Sequence, residues 1–120
     1  AAFPGEALWF RRRAEADGAL KQPALALADW RQTTALSPTD DLAWYQQGVA
    51  AAESGDPAAG AAAMEQAIAL NPQPITYHLT LGGTYLVLGR RDEARAAYER
   101  AALLEPDNPV ARDLLRQLQP

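Results

Sequence analysis

Apolar residues recur along this chain at the three- and four-residue spacings of amphipathic helices, and no segment shows the strict alternation that is typical of a strand. Short breaks rich in glycine, proline, asparagine and aspartate separate seven such stretches. The pattern predicts an all-α protein. The expected helices cover residues of about 6–20, 23–36, 41–54, 57–70, 75–88, 91–104 and 109–118.

The breaks carry residue types that favour helix ends. Thr39 or Asp40 can cap the helix that begins near residue 41. Asp56 can cap the next helix, and Pro57 suits its first turn because a proline there gives up no hydrogen bond. Gly55 lies where the preceding helix stops, a position that often needs a positive φ.

A step of 34 residues connects equivalent positions, which indicates an internal repeat. Three segments end alike, in TALSP, IALNP and ALLEP. The same step joins Leu36, Leu70 and Leu104; Gly48 and Gly82; Gly55 and Gly89; Phe10, Trp44 and His78; Trp30, Met64 and Tyr98; and Ala26, Gly60 and Ala94. The repeat predicts three two-helix units at about 7–40, 41–74 and 75–108, followed by a tail helix at about 109–118.

Small residues at repeating positions predict where the helices cross. A glycine in the middle of a helix costs about 1 kcal/mol relative to alanine. Gly48 and Gly82 both hold such positions, which is best explained by crossings too close for a side chain. Trp30, Met64 and Tyr98 would then fill the space between neighbouring pairs. One helix pair cannot bury its apolar face alone, so stacking of the three is expected.

These spacings resemble the tetratricopeptide repeat. The third unit matches best, while the second departs from the family pattern at Gln47 and Ala51. The first unit departs more, with Arg13, Ala14 and Asp17 where leucine, glycine and tyrosine are usual. The resemblance implies a right-handed α-solenoid of three antiparallel helix pairs with a terminal solvating helix, forming a single domain over residues 1–120.

The segment LWFRRR, residues 8–13, could be a nucleic-acid patch, the end of a membrane helix, or one face of a packed helix. The repeat places Phe10 in register with Trp44, which predicts a buried anchor. The three arginines then point in different directions, because successive helical residues are about 100° apart. The apolar part is far shorter than the roughly 20 residues of a membrane helix. A membrane anchor would have to lie upstream.

Charge argues against a nucleic-acid partner, because the net charge is −4 and phosphate binding needs a basic field. The charge is uneven, since residues 41–74 carry four acidic side chains and no basic one. The chain has no cysteine, which excludes disulfides and thiolate metal sites. We expect a soluble domain without direct membrane insertion, either free or excised from a larger or membrane-anchored chain. The compartment stays unassigned.

Candidate chemistry is sparse, and the sequence predicts no enzyme, metal or cofactor. The single histidine, His78, is in register with Phe10 and Trp44 and is best explained as a core residue without a catalytic partner. The acidic pairs 40–41 and 92–93 lie at predicted helix starts, where they complement the helix dipole. Arg95 is expected to pair with Glu99 on a solvated helix face.

In the tetratricopeptide repeat family the first helices of the pairs line a concave groove that binds partners. The resemblance therefore implies a groove that takes a protein or peptide ligand. Its expected lining is Arg11, Arg12 and Glu15; Tyr45, Gln46, Val49 and Ala52; and Thr76, Leu79, Thr80, Gly83 and Leu86. Tyr45 is the expected anchor. The alternative for Val49, Leu79 and Leu86 is simple packing between helices.

Co-chaperones of this family hold the C-terminal carboxylate of a chaperone with a clamp of lysines, asparagines and one further basic residue. The corresponding positions here hold Arg11, Glu15, Gln46, Thr76 and Thr80. Only Arg11 fits, and Glu15 would repel a carboxylate. The sequence therefore predicts that peptides ending in EEVD do not bind.

Two other functions remain open. Exposed apolar residues in the tail, such as Val110 and Leu118, would favour a self-assembly element that forms homo-oligomers through repeat edges or through the tail helix. A weaker alternative is an accessory domain that positions a substrate for an enzyme or membrane protein.

Overall fold

The computed structural model describes residues 5–118, except for the side chain of Ala19. These residues form seven α-helices and no strand. The helices are α1 Glu6–Ala19, α2 Pro23–Leu36, α3 Asp41–Glu53, α4 Pro57–Leu70, α5 Ile75–Val87, α6 Arg91–Leu104 and α7 Pro109–Leu118. Each helix end lies within one residue of its predicted position. The all-α prediction is therefore confirmed.

The predicted start and stop residues act as expected. The Asp40 carboxylate accepts a hydrogen bond from the Ala43 backbone N–H, and Asp56 does the same for Ala59, both at 3.1 Å. Gly55 has a φ of +96°, and Gly89 has a φ of +74°. Lys21 holds the equivalent place after α1 and has a φ of +58°. The first turn therefore puts a lysine where the later turns have glycine.

Consecutive helices pack against each other through the chain. They form the pairs α1–α2, α3–α4 and α5–α6, and each pair stacks on the next through α2–α3 and α4–α5. Short connections make neighbouring helices antiparallel. The tail helix α7 packs against α6 and closes the last pair. The result is an elongated α-solenoid with principal extents of 51 × 26 × 20 Å.

The mid-helix glycines lie at the closest crossings. A methyl group on Gly48 would lie 2.7 Å from the carbonyl oxygen of Gly60 and 2.7 Å from Cγ of Met64. A methyl group on Gly82 would overlap the ring of Tyr98. Both distances are below van der Waals contact, so α3–α4 and α5–α6 require glycine at these positions.

Large side chains fill the spaces between the pairs, as the repeat predicts. Trp30 is 3% exposed, Met64 0% and Tyr98 2%. Trp30 belongs to one apolar cluster, formed by the first pair and α3, while Met64 and Tyr98 belong to a second that reaches α7. The core thus consists of two apolar clusters, one on either part of the stack.

The first pair replaces an apolar contact with an ion pair. Asp29 is 3% exposed and accepts two hydrogen bonds from the Arg13 guanidinium, each at 2.6 Å. This hydrogen bonding is the main reason that the pKa of Arg13 is raised. The equivalent residues of the third pair are Leu81 and Ala97, both buried. The departure from the repeat pattern at Arg13 is therefore matched by a second departure at Asp29, with which Arg13 pairs.

The expectation that Phe10 is a buried anchor is wrong in degree, because its side chain is partly exposed. The equivalent Trp44 and His78 each donate a ring N–H to the carbonyl of a proline, Pro38 and Pro72, in the loop before their own helix. This position therefore faces the preceding loop rather than the centre of the stack. Phe10 instead meets Trp9 edge-on, with ring centroids 4.9 Å apart.

The end of the solenoid differs from two expectations. Leu118 is buried, whereas the self-assembly alternative took it as exposed; only Val110 of that pair is exposed. Arg95 was expected to pair with Glu99 but donates to the carbonyl of Leu118 at 2.9 Å, as Arg91 also does. Two arginines of α6 therefore satisfy a carbonyl at the end of α7.

Candidate partner-binding groove

The first helices of the three pairs lie beside one another along one side of the solenoid. Arg11 of α1 donates to the carboxylate of Asp40, at the start of α3, at 2.5 Å. The Tyr77 hydroxyl of α5 donates to the carboxylate of Asp41 in α3 at 2.7 Å. Helices α2 and α4 pack against the following pair, and clefts open between the first helices. We call this the groove side.

A first cleft opens between α1, α2 and α3, with a volume of about 270 Å³. Its floor is apolar and includes Trp30, Val49 and Ala50. Two carboxylates, Glu15 and Glu53, are its only charged lining residues. The remaining lining residues are Ala14, Gly18, Pro23, Ala26 and Gln46.

A second cleft, of about 310 Å³, opens between α3, the start of α4, and α5. It contains no charged residue, and its lining consists of Ala52, Pro57, Thr80, Gly83, Thr84 and Val87. At Gly83 an added methyl group would be 3.8 Å from the Tyr98 hydroxyl, which is ordinary contact. This glycine therefore leaves the cleft open and is not needed for a close helix crossing.

Two stacked tyrosines tie α3 to α5. The rings of Tyr45 and Tyr77 are 4.6 Å apart and nearly parallel. The hydroxyl groups of Tyr45 and Thr80 are hydrogen-bonded at 2.9 Å. Burial, and then the hydrogen bond to Asp41, raise the pKa of Tyr77. Tyr77 therefore stays neutral and holds the partly exposed Tyr45 ring in place.

The structure distributes the predicted groove residues unevenly. Glu15, Gln46 and Val49 line the first cleft, and Ala52, Thr80 and Gly83 line the second. Tyr45, Val49 and Leu79 are partly buried against the second apolar cluster, so packing takes part of their surface. Arg11 is engaged by Asp40 and lies near Glu15, whereas Arg12, Thr76 and Leu86 are exposed and line neither cleft.

Several cleft residues are not among those that the sequence predicts. Glu53 and Val87 follow directly after the predicted positions 52 and 86, so a drift of one residue along each helix would have included them. Pro57 and Trp30 lie on second helices, which the family pattern does not assign to the groove. Their contribution depends on how deeply each cleft reaches between the pairs.

The described residues offer little for catalysis. His78 is buried, its Nε2–H donates to the Pro72 carbonyl at 2.8 Å, and its Nδ1 has no partner within residues 5–118. Over the same residues, no group of three histidine or acidic side chains could hold a metal ion. None of the helices described here is both long and apolar enough to cross a bilayer.

Solved structures with the same fold are numerous. MamA has a TM-score of 0.90 and 23% identity, over 96% of this chain and 67% of that one. The first TPR of Spaghetti (RPAP3), bound to the HSP90 peptide SRMEEVD, has a TM-score of 0.87 and 20% identity, over 98% and 93%. The second TPR domain of human RPAP3, in complex with the HSP70 peptide SGPTIEEVD, has a TM-score of 0.86 and 20% identity, over 94% of this chain and 94% of that one. These likenesses concern the fold.

Among curated protein sequences, none gives a significant match. A sequence family described as tetratricopeptide repeat matches residues 51–118, which is more than half of the chain. The matched part includes most of the second pair, the whole third pair and α7, where the repeat pattern is most regular. The chain therefore belongs to the tetratricopeptide repeat family.

Proposed function

We propose that this chain is a protein–protein interaction module that binds an extended peptide or a helix of a partner protein along its groove side. One observation carries the proposal: two clefts between the first helices, one with an apolar floor and one without charged residues among the described lining, flank α3, and a fixed, partly exposed tyrosine stands between α3 and α5. Apolar clefts that accept alternate side chains are a general means of binding an extended segment or a helix.

Tyr45 is the proposed anchor of this surface. Tyrosine is enriched at binding hot spots because it offers a large, amphipathic surface at a low entropic cost. Here the Tyr77 ring and the Thr80 hydroxyl already hold the Tyr45 side chain in one orientation. A partner that packs against Tyr45 would therefore pay little for ordering it.

The fold neighbours support peptide binding in general, since two of those reported above are bound to peptides. They do not support the same ligand. In this chain Arg11 is engaged by Asp40, and Glu15 stands on the groove side next to it. We infer that the groove does not hold peptides ending in EEVD, whose carboxylates need free basic side chains.

The proposal is tested by capturing partners from the source lysate with wild type and two matched variants. Gly83→Glu/Leu86→Glu places two charges on the groove side of α5, one helical turn apart. Leu70→Glu/Leu103→Glu places two charges at exposed positions of α4 and α6. Proteins held by wild type and by the α4/α6 variant, but lost by the groove variant, support the proposal. Equal retention by all three contradicts it.

Self-association is a second candidate, favoured by the apolar edge of the first pair. Leu8, Trp9 and Leu25 are each between 50% and 55% exposed. The equivalents of Trp9 in the later pairs, Ala43 and Tyr77, are buried against the preceding pair. Sedimentation velocity tests this candidate: a mass that rises with concentration and falls back in Trp9→Glu/Leu25→Glu would support it, and a monomer throughout would dismiss it.

A further inference from the structure

We infer that the first cleft is a side-chain pocket for a lysine or arginine of the partner, so that the groove selects a basic segment. The inference rests on the proposed function, because it assigns a chemistry to part of the same surface. It follows from the contrast between the floor of this cleft and its rim.

The floor suits an aliphatic chain. Trp30, Val49 and Ala50 provide apolar surface at the bottom, and the cleft volume of about 270 Å³ exceeds that of one long side chain. Lysine and arginine bury their methylene stems on apolar surface while the charged head stays near water. A pocket with an apolar floor and polar rim matches that division.

The rim suits a cation. Glu15 and Glu53 come from two different helices, α1 and α3, and are the only charged residues among the described ones that line the cleft. Glu53 forms no ion pair among residues 5–118. Helix α3 adds no positive charge to the cleft, because residues 41–74 contain no lysine or arginine.

Arg11 neutralises this rim only in part, because it is shared between Glu15 and Asp40. Its Nε lies 3.4 Å from Glu15, whereas its Nη1 lies 2.5 Å from Asp40. Charge-assisted hydrogen bonds are usually about 2.7–2.9 Å long, so Arg11 is committed chiefly to Asp40. The Glu15 carboxylate is also more than half exposed, which leaves it free to accept from a ligand.

Other side chains fit less well. An acidic side chain would lie between two carboxylates of like charge. A purely apolar side chain would displace water from these carboxylates without replacing the hydrogen bonds that the water makes to them. The second cleft has no charged lining and would take an apolar side chain instead. The groove as a whole therefore favours a segment that carries both a basic and an apolar residue.

The test is selection from a displayed library of random dodecapeptides, followed by binding assays with the synthesised winners. The baits are wild type, the rim variants Glu15→Lys/Glu53→Lys and Glu15→Gln/Glu53→Gln, and a control with the same charge change, Glu99→Lys/Asp107→Lys, at exposed positions outside the cleft. The groove variant Gly83→Glu/Leu86→Glu is included. Circular dichroism checks each fold, and the glutamine variant replaces the lysine variant if the latter does not fold.

We expect wild type and the control to enrich peptides with lysine or arginine at one recurring place. Both rim variants should bind these peptides at least about tenfold more weakly, as is common when one partner of a close charge pair is lost. Two outcomes would overturn this inference alone. In the first, the enriched peptides need the second cleft but lack a recurring basic residue. In the second, they bind the rim variants as well as they bind wild type. If no peptide is enriched, or if all bind Gly83→Glu/Leu86→Glu equally, the proposed function fails as well.

Discussion

Gly48 sets the closest approach of α3 to α4, because a side chain there would meet backbone atoms of Gly60. Replacement by alanine improves helix propensity by about 1 kcal/mol. Overpacking against an immobile carbonyl should outweigh that gain, so Gly48→Ala is expected to lower the free energy of unfolding by about 1–3 kcal/mol. Urea unfolding measures the change; equal or higher stability would show that the crossing has room to spare.

Lys21 presents the opposite case. It adopts a positive φ in the turn where later pairs have Gly55 and Gly89. A non-glycine residue pays roughly 1–2 kcal/mol for this conformation. Lys21→Gly should therefore raise the free energy of unfolding by about 0.5–1 kcal/mol, because greater freedom of the unfolded chain offsets part of the gain. A loss of stability in the same urea assay would contradict the assigned turn.

Tyr77 should make stability depend on alkaline pH. Its pKa in the folded chain is raised by burial and by Asp41, while an unfolded tyrosine ionises near pH 10. The stabilisation is complete below about pH 10 and is lost above it, with a slope of at most about 1.4 kcal/mol per pH unit. Tyr77→Phe should flatten this slope in unfolding curves between pH 9 and 11. An unchanged slope would argue against a buried Tyr77 hydroxyl.

At the scale of elements, the pair α1–α2 shows how a degenerate repeat can still stack. Arg13 and Asp29 hold the positions of Leu81 and Ala97, and they exchange an apolar contact for two hydrogen bonds. The Arg13 guanidinium also lies 4.2 Å from the centre of the Trp9 ring. The ion pair thus fills space at the exposed end of the stack, where a leucine would leave more apolar surface in water.

Stepwise replacement of the two residues tests this exchange of an apolar contact for an ion pair. Arg13→Leu alone leaves the buried Asp29 carboxylate without its two donors, so the urea midpoint should fall clearly. Arg13→Leu/Asp29→Ala recreates the pair found in α5–α6 and should recover most of the loss. If the double variant is no more stable than Arg13→Leu, the two residues are not coupled as the structure indicates.

The helices could be predicted closely from sequence because local signals agreed. The 34-residue step and the glycine stops repeat in the second and third units, and Asp40 and Asp56 cap both helices of the second. The Arg13–Asp29 pair could not be predicted, because its partners are on different helices and break the repeat only once. The environment of Phe10 was also missed, since its equivalents Trp44 and His78 are held by hydrogen bonds from ring N–H groups, which a phenylalanine does not have.

At the scale of the whole molecule, the groove side was predictable but its details were not. The rotation of each helix about its axis decides which cleft residues 52 and 53 reach, and tertiary packing fixes that rotation. The ion pair between Arg11 and Asp40 could not be predicted from the sequence for the same reason. The proposed surface accordingly keeps Glu15, Gln46 and Val49 as predicted and adds Glu53.

The placement of Arg11 and Glu15 leads to a prediction about acidic ligands. A fluorescein-labelled peptide ending in EEVD should show no saturable binding in fluorescence anisotropy at up to about 100 µM protein, since carboxylates gain little where a glutamate rim faces them. Glu15→Lys is the matched variant and should bind it better than wild type. A salt-sensitive micromolar complex with wild type would contradict this account of the groove.

The most direct measurement is photocrosslinking in the source lysate, with a benzophenone amino acid placed at Leu86 on the groove side or at Leu103 on α6. Both positions are exposed, Leu86 to 39% and Leu103 to 81%, so the control probe is the more accessible of the two. We expect defined crosslinked partners from position 86 that disappear when Gly83→Glu is added, and none of these from position 103. Partners that crosslink only from position 103, or the same set from both, would contradict the central claim that the groove side is the binding surface.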